Sequence, residues 1–184
     1  MRRTVLSLLS LVLVGSALAG LLISRTVAQE ATPAGGAAIV PIELAPGVSA
    51  EVFGAAPSAG APGQTVYLVR FTFQPGAEIF AHNHPGTTLL GVESGSLGWT
   101  LGAGTAHIVR GAAAGATGPA EDLTEPGTDV ILEPGDAIFY ESDVVHTARG
   151  AGDDPTVVLG TLVLEEGQPL LTPADMVMPA TPTS

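Results

Sequence analysis

Gly76-Ala-Glu-Ile-Phe-Ala-His82-Asn-His84-Pro-Gly86 reads as a short β-strand that ends at a Pro-Gly turn. Successive side chains of a strand alternate between its faces, so His82 and His84 point to the same side, about 7 Å apart along the strand. A second apolar segment runs from Gly135 and supplies a third imidazole, His146. Neutral imidazole is the commonest metal ligand, and three of them leave coordination positions open. The three histidines therefore predict a metal site.

The segments around this stretch also have the two-residue period of strands. The strands predicted from it are 65–73, 78–83, 87–92, 97–101, 106–110, 129–132, 136–140, 144–149 and 156–164. Turn residues separate them, and no sustained helical period is present in the sequence. Residues 111–127 predict a long insertion of small residues, either a lid or a solvated loop. Many short strands with turn signals indicate an all-β sandwich or barrel.

The composition and charge of the chain argue against some classes of binding partner. The 184 residues include 24 Gly and 15 Pro, which favours turns over long helices, and no Cys, which excludes disulfides and thiolate metal sites. Six Arg oppose 18 acidic residues, and three of the Arg lie within the first 25 positions. This charge balance argues against nucleic acid and anionic lipid headgroups as partners, and it favours solubility.

The chain divides into four predicted regions. Residues 1–28 are an export signal, with Arg2 and Arg3 before an uncharged apolar run at 4–24 and a small-residue cleavage site before Gln29. An uncleaved N-terminal membrane anchor is the competing interpretation. Both place the rest of the chain outside the cytoplasm, as a secreted or extracytoplasmic protein that meets a membrane only through residues 4–24. Residues 29–38 predict a flexible linker, 39–166 the folded domain and 167–184 an irregular tail.

Two motifs in this order resemble those of the cupins. The first cupin motif is Gly, five residues, His-x-His, three or four residues, Glu, six residues, Gly, and the chain has Gly76, His82, His84, Thr88 and Gly95 at these spacings. The second is Gly, five residues, Pro-x-Gly, two residues, His, three residues, Asn. The matching positions here are Gly135, Glu141-Ser142-Asp143, His146 and Gly150. The resemblance implies a single-domain cupin jelly roll, a double-stranded β-helix barrel with its site in the mouth.

The resemblance also implies the ligand set. It assigns metal ligation to His82, His84 and His146, together with a Glu that this chain replaces by Thr88. Three neutral histidines can still hold one divalent transition metal ion, and the residues do not choose between Zn, Fe, Mn, Ni and Cu. A homodimer is an expectation that comes from the family alone.

Other side chains are weaker candidates for the site. Glu78 shares the parity of His82 and is a minor candidate for an additional ligand, whereas Glu93 should face away. His107 is expected to be exposed or satisfied by a partner. Phe80, Trp99 and Tyr140 are possible lining residues of a pocket, although aromatic residues of a jelly roll are more often core.

Two functions stay open at this point. The first is an exported metalloenzyme that acts on a small organic molecule as an oxygenase, isomerase or decarboxylase. The second is a non-catalytic cupin that serves as a binding or structural module. Fold does not choose between them, because function depends on the site. No catalytic residue can be named from the sequence.

Overall fold

The computed structural model describes residues 39–111 and 120–176 of the chain. The predicted signal or anchor (1–28) and linker (29–38) lie outside the described residues, as do the centre of the insertion and the end of the tail. Within the described ranges, no helix has the length and apolar character needed to cross a membrane.

Strands account for nearly all the regular structure of the described residues. They are β1 (Ile42–Ala45), β2 (Val48–Pro57), β3 (Gln64–Phe73), β4 (Glu78–Asn83), β5 (Gly86–Ser94), β6 (Leu97–Ala103), β7 (Ala106–Val109), β8 (Glu121–Leu123), β9 (Asp129–Leu132), β10 (Ala137–Tyr140), β11 (Val145–Gly150), β12 (Thr156–Glu165) and β13 (Thr172–Pro173). These strands form two sheets. The first has the order β1-β2-β3-β12-β5-β10-β7-β8 and the second β13-β4-β11-β6-β9. Every pairing between named strands is antiparallel.

The core lies between the inner faces of the two sheets. Along β12 and β11 buried side chains alternate with more exposed ones, as expected for strands with one face against a core. The eight-stranded sheet contributes buried residues such as Phe71 and Leu162, and the five-stranded sheet contributes Trp99 and Leu101. Two packed antiparallel sheets of this strand order form a jelly roll. The predicted all-β jelly-roll barrel is therefore confirmed.

The strands with strong β-formers were predicted to within one or two residues, whereas four others were missed. β2 was missed because its second half, Gly54-Ala-Ala-Pro57, consists of residues with poor strand propensity. β1 and β13 are short, and β13 consists of Thr172 and Pro173 alone. The prediction of an insertion without strands at 111–127 is wrong in part, because β8 lies within it and pairs with β7.

Candidate metal centre

Two neighbouring strands bring the three histidines together. In the β4–β11 pair, His146 lies directly opposite His82. His84 follows the end of β4, where the chain turns tightly and the Gly86 amide donates a hydrogen bond to the His84 carbonyl at 2.8 Å. Gly86 has a φ of 153°, and a Cβ there would lie 2.1 Å from the Val163 carbonyl oxygen of β12. Only glycine permits this approach, so the Pro-Gly turn after His84 is required by packing.

The imidazoles converge in the interior. The ring centroids of His82 and His146 are 4.2 Å apart, those of His82 and His84 5.1 Å and those of His84 and His146 5.5 Å. One ring nitrogen from each histidine can be chosen so that all three lie within 4.8 Å of one another. All three side chains are buried. Among the described residues, this is the one group of His, Asp and Glu side chains close enough to share a metal ion.

Backbone carbonyls determine which nitrogen faces the centre. Nδ1 of His82 donates to the Phe80 carbonyl at 2.8 Å, and Nδ1 of His84 donates to the Leu170 carbonyl at 2.6 Å. With Nδ1 protonated, Nε2 carries the free lone pair that a metal needs. Nδ1 of His146 has no well-aligned partner, although the Val144 backbone is close enough to raise its pKa.

Burial keeps these rings neutral. Desolvation lowers the pKa of His82, and the hydrogen bond to Phe80 opposes it only in part. Desolvation and the proximity of His82 lower the pKa of His84 to about 3. The pKa of His146 is also well below its usual value because the ring is completely buried and faces both other histidines. Neutral imidazole is the form that binds metals.

Two aromatic side chains contact His146, and Thr88 lies beside one of them. The Trp99 ring stacks on it at 4.9 Å between centroids, and the Tyr140 hydroxyl lies 3.3 Å from its Nε2. Burial raises the pKa of the Tyr140 phenol, while the neighbouring Thr88 hydroxyl acts in the opposite direction. Thr88 Oγ1 and Trp99 Nε1 are buried without a hydrogen-bond partner. Trp99 and Tyr140 thus contact His146, although neither is among the residues that line the cavity beside the histidines. Thr88, at the position of the cupin Glu, leaves an unsatisfied hydroxyl beside Tyr140.

The internal cavity at the centre is small and mainly apolar. Its volume is about 20 Å³, which is room for about one water molecule. Besides the three histidines, it is lined by Phe71, Phe73, Ile79, Leu90, Leu97, Ala148, Val158 and Leu171. No carboxylate is among these residues. In this conformation the cavity can admit a single ion or a very small molecule.

The segment 168–176, here called the C-terminal strap, closes one side of the centre. Within it β13 pairs with β4 so that Pro173 lies opposite His82, and Leu171 contributes to the cavity wall. The Leu170 carbonyl accepts the hydrogen bond from His84. Sequence reasoning did not find this role, because the partner is a backbone carbonyl 86 positions away and any residue type could supply it.

A β-bulge changes which residues of β4 face inward. His146 pairs with His82, but Ala148 pairs with Ile79, so the register shifts by one residue between them. Ile79 is therefore buried, and Phe80 is 77% exposed. The expectation that Phe80 lines the pocket is wrong for this reason. Glu78 is also turned outward, where it lies opposite Arg149, so it is not an additional ligand.

The remaining two candidates lie away from the centre, as predicted. Glu93 is exposed and accepts a hydrogen bond from Arg70 at 3.2 Å. His107 lies on β7 and bonds through Nδ1 to the Asp122 carboxylate at 2.7 Å. Each is satisfied at the surface of the eight-stranded sheet.

The donor set fits a divalent transition metal. Three neutral imidazoles face one small cavity, and among the described residues the hydrogen bonds of the His82 and His84 side chains involve Nδ1 alone. Left without an ion, these inward nitrogens would depend on water or on the Tyr140 hydroxyl for a partner, in a space with mainly apolar walls. Imidazole suits Zn, Cu, Fe and Ni well, and Mn less well because it prefers oxygen ligands.

The described fold is similar to that of solved structures, whereas the sequence comparisons found no match. No protein-family model matches the chain, and no curated protein matches it. Oxalate decarboxylase from Bacillus subtilis has 20% identity and a TM-score of 0.46, over 68% of this chain and 28% of that chain. A DMSP lyase has 19% identity and a TM-score of 0.45, over 70% and 53% respectively. An RmlC-like cupin from Shewanella frigidimarina has 15% identity and a TM-score of 0.38, over 71% and 87%.

This chain therefore spans less than a third of the decarboxylase that it resembles. At such low identities and TM-scores the likeness supports nothing about activity. The jelly-roll fold rests on the strand order and pairing of the chain itself.

Proposed function

We propose that this protein is an exported metal-binding cupin that holds one divalent transition metal ion through His82, His84 and His146. The observation that supports this most directly is the convergence of three buried, neutral imidazoles within 4.8 Å. Two of them are oriented by hydrogen bonds from Nδ1 to backbone carbonyls. Second-shell contacts of this kind are typical of metal-binding histidines.

The chain's own residues have separate tasks in this proposal. His82 and His84 present Nε2, while the Phe80 and Leu170 carbonyls hold the rings in place. Trp99, stacked on His146, limits the rotation of that ring. The apolar wall excludes bulk water, which strengthens electrostatic interactions inside the centre. The bound metal would supply a Lewis acid.

The finer proposal is action on a small organic molecule, as an oxygenase, isomerase or decarboxylase. It requires a substrate small enough for the cavity, or movement of the C-terminal strap to enlarge it. The non-catalytic binding or structural module is favoured by a specific observation, since no carboxylate of the described residues lines the cavity. We therefore propose metal binding as the primary function and leave catalysis to experiment.

The test is the metal content of the purified protein, measured by elemental mass spectrometry. We expect about one equivalent of a transition metal in the wild type, either as purified or after reconstitution with Zn, Fe, Mn, Ni and Cu in turn. The double variant His82→Ala/His84→Ala should lose it, because one imidazole cannot hold the ion alone. His107→Ala is the matched control and should retain it, because His107 is bonded to Asp122, is partly exposed and is not part of the three-histidine group.

Two results would contradict the proposal. One is a wild type that takes up no metal under any of these conditions. The other is a double variant that binds as much metal as His107→Ala, since the ion would then be held elsewhere. Export is tested separately, by N-terminal sequencing of the mature protein from the culture medium and the membrane fraction. A mature protein that starts near Gln29 would support cleavage, and intact residues 4–24 in membranes would support the anchor.

A further inference from the structure

The Tyr140 hydroxyl occupies a position that a surface or core tyrosine does not usually have. It is completely buried and lies 3.3 Å from Nε2 of His146, one of the two ring nitrogens that this histidine can offer to the proposed metal. The tyrosine ring also approaches two of the three histidines, with centroids 4.8 Å from His146 and 5.9 Å from His84. Tyr140 therefore belongs to the buried core and at the same time contacts the histidines of the centre.

The hydrogen bond between these groups is incompatible with metal binding. Nε2 of a neutral histidine has one lone pair, which either accepts the Tyr140 proton or binds a metal ion. When the metal takes it, the buried hydroxyl needs a new partner. Thr88 Oγ1 is nearby but makes no well-aligned hydrogen bond. A buried polar group without a partner costs about 1–3 kcal/mol, so the hydroxyl should turn to the metal itself.

The distance between Tyr140 Oη and His146 Nε2 supports the metal as the new partner of the hydroxyl. At 3.3 Å, the contact is longer than the about 2.7–3.2 Å of good hydrogen bonds. Zinc bonds to His nitrogen are about 2.0–2.1 Å and to oxygen about 2.0–2.2 Å, which places neighbouring ligand atoms of a tetrahedral site about 3.3–3.5 Å apart. Tyr140 Oη and His146 Nε2 are therefore already separated like two ligands of one ion.

Strand register explains why a tyrosine can serve here. Tyr140 lies opposite Thr88 in the β10–β5 pair, and both side chains are buried. The cupin pattern has a carboxylate at position 88, where this chain has a short hydroxyl side chain. A long side chain on the adjacent strand can reach the space that the shorter residue leaves.

We infer that Tyr140 is the fourth protein ligand of the metal, binding through its phenolate oxygen in place of the carboxylate that Thr88 lacks. This inference rests on the proposed function. On binding, the phenolic O–H bond breaks, the oxygen–metal bond forms and the proton leaves to solvent. No electron is transferred between centres. The protein then provides three neutral nitrogens and one anionic oxygen.

The experiment uses copper as the probe, because phenolate bound to Cu²⁺ gives a charge-transfer absorption band in the visible region. The full-length wild type, Tyr140→Phe and Tyr67→Phe are each titrated with Cu²⁺, and with Zn²⁺ as a probe that has no such band. The chain contains two tyrosines, so Tyr67→Phe leaves Tyr140 as the one tyrosine that could produce the signal. Tyr67 packs against the core on β3 and serves as the matched control.

We expect the band at one equivalent of Cu²⁺ in the wild type and in Tyr67→Phe, and its loss in Tyr140→Phe. Tyr140→Phe should still bind Zn²⁺, with an affinity at least about 10-fold weaker. A copper-loaded wild type without the band, or a band that survives in Tyr140→Phe, would overturn the inference while leaving three-histidine binding intact. A wild type that binds neither metal would overturn the proposed function as well.

If Tyr140→Phe does not fold, ligation by Tyr140 can still be tested in the Tyr67→Phe protein. The copper-loaded Tyr67→Phe protein can be examined by resonance Raman spectroscopy with excitation in the band. Enhanced tyrosinate vibrations there can come from Tyr140 alone and would support ligation. Their absence with copper bound would contradict it.

Discussion

The three histidines of the centre and His107 are the same residue type in opposite situations. His82, His84 and His146 lie on the inner face of the five-stranded sheet, buried, with carbonyls or a phenol as partners. His107 lies near the edge of the other sheet, with 38% of its side chain exposed and the Asp122 carboxylate at 2.7 Å.

The difference shows what converts a histidine into a candidate metal ligand. Burial keeps the inner rings neutral, and carbonyl partners occupy Nδ1 of His82 and His84 while leaving Nε2 available. At the edge, a carboxylate occupies Nδ1 of a ring that water can reach, and no second imidazole is near it. What the three inner histidines share is an inward, buried position next to the other two, and two of them also have a carbonyl partner at Nδ1.

The largest expected effect is on thermal stability. A metal that binds the folded state alone stabilises it by about 2.7 kcal/mol at a free concentration 100-fold above Kd. For a chain of this size, that raises Tm by about 5–10 °C. We expect Zn²⁺ to produce this shift, and chelation to reverse it, in the wild type and in His107→Ala, as followed by calorimetry. An equal shift in His82→Ala/His84→Ala would mean that the stabilising ion binds outside the centre.

Removal of the C-terminal strap should have an intermediate effect. A chain that ends at Gly167 lacks the Leu170 carbonyl that orients His84 and the Leu171 side chain that lines the cavity. Loss of an outer-shell partner typically costs about 10–100-fold in metal affinity. We expect a decrease of this size for Zn²⁺ in a competition assay with a chromophoric chelator.

The point variant Leu171→Ala separates two contributions of the strap. It shortens the cavity wall but leaves the Leu170 carbonyl in place, so its metal affinity should fall less than that of the truncated chain. Equal losses in both proteins would show that packing, and not the hydrogen bond to His84, is the important contact.

The smallest effect is expected on the free energy of unfolding, from an ion pair on the outer face of the five-stranded sheet. Arg149, three positions after His146, donates two hydrogen bonds to Asp129 at 2.7 and 2.8 Å. These bonds lower the pKa of Asp129, with a further contribution from Thr100, while partial burial opposes them. A depressed carboxyl pKa stabilises the fold above the ordinary pKa of about 4, and this contribution is lost as pH falls through the folded value.

Asp129→Asn should therefore be less stable than the wild type at pH 7 by less than about 1 kcal/mol, because the pair is partly exposed. The difference should shrink as pH falls below about 4, because the carboxyl is then protonated in the unfolded chain and, at still lower pH, in the folded protein as well. Urea unfolding at a series of pH values measures it. A difference that stays constant from pH 7 to pH 3 would show that charge is not its source.

Local sequence signals were sufficient for most of the fold. Strands such as β3 and β12 are rich in β-branched and aromatic residues, so period and composition located them. The same signals failed at β2 and β13, which form because a neighbouring strand offers backbone partners. The second half of β2, residues 54–57, and Pro173 of β13 have little preference for strands. Backbone pairing depends on the rest of the fold, so local propensity does not reveal it.

The candidate site divides in the same way. The spacing of His82, His84 and His146 was sufficient to select these residues, because alternation along a strand and motif order are properties of the sequence itself. The tertiary structure decided what surrounds them. A bulge in β4, which no residue type in the sequence predicts, turned Phe80 and Glu78 outward. The C-terminal strap placed the Leu170 carbonyl beside His84, and the strand register placed Tyr140 beside His146. These contacts join residues through backbone geometry, which depends on the whole barrel and not on the identity of the residue at any one position.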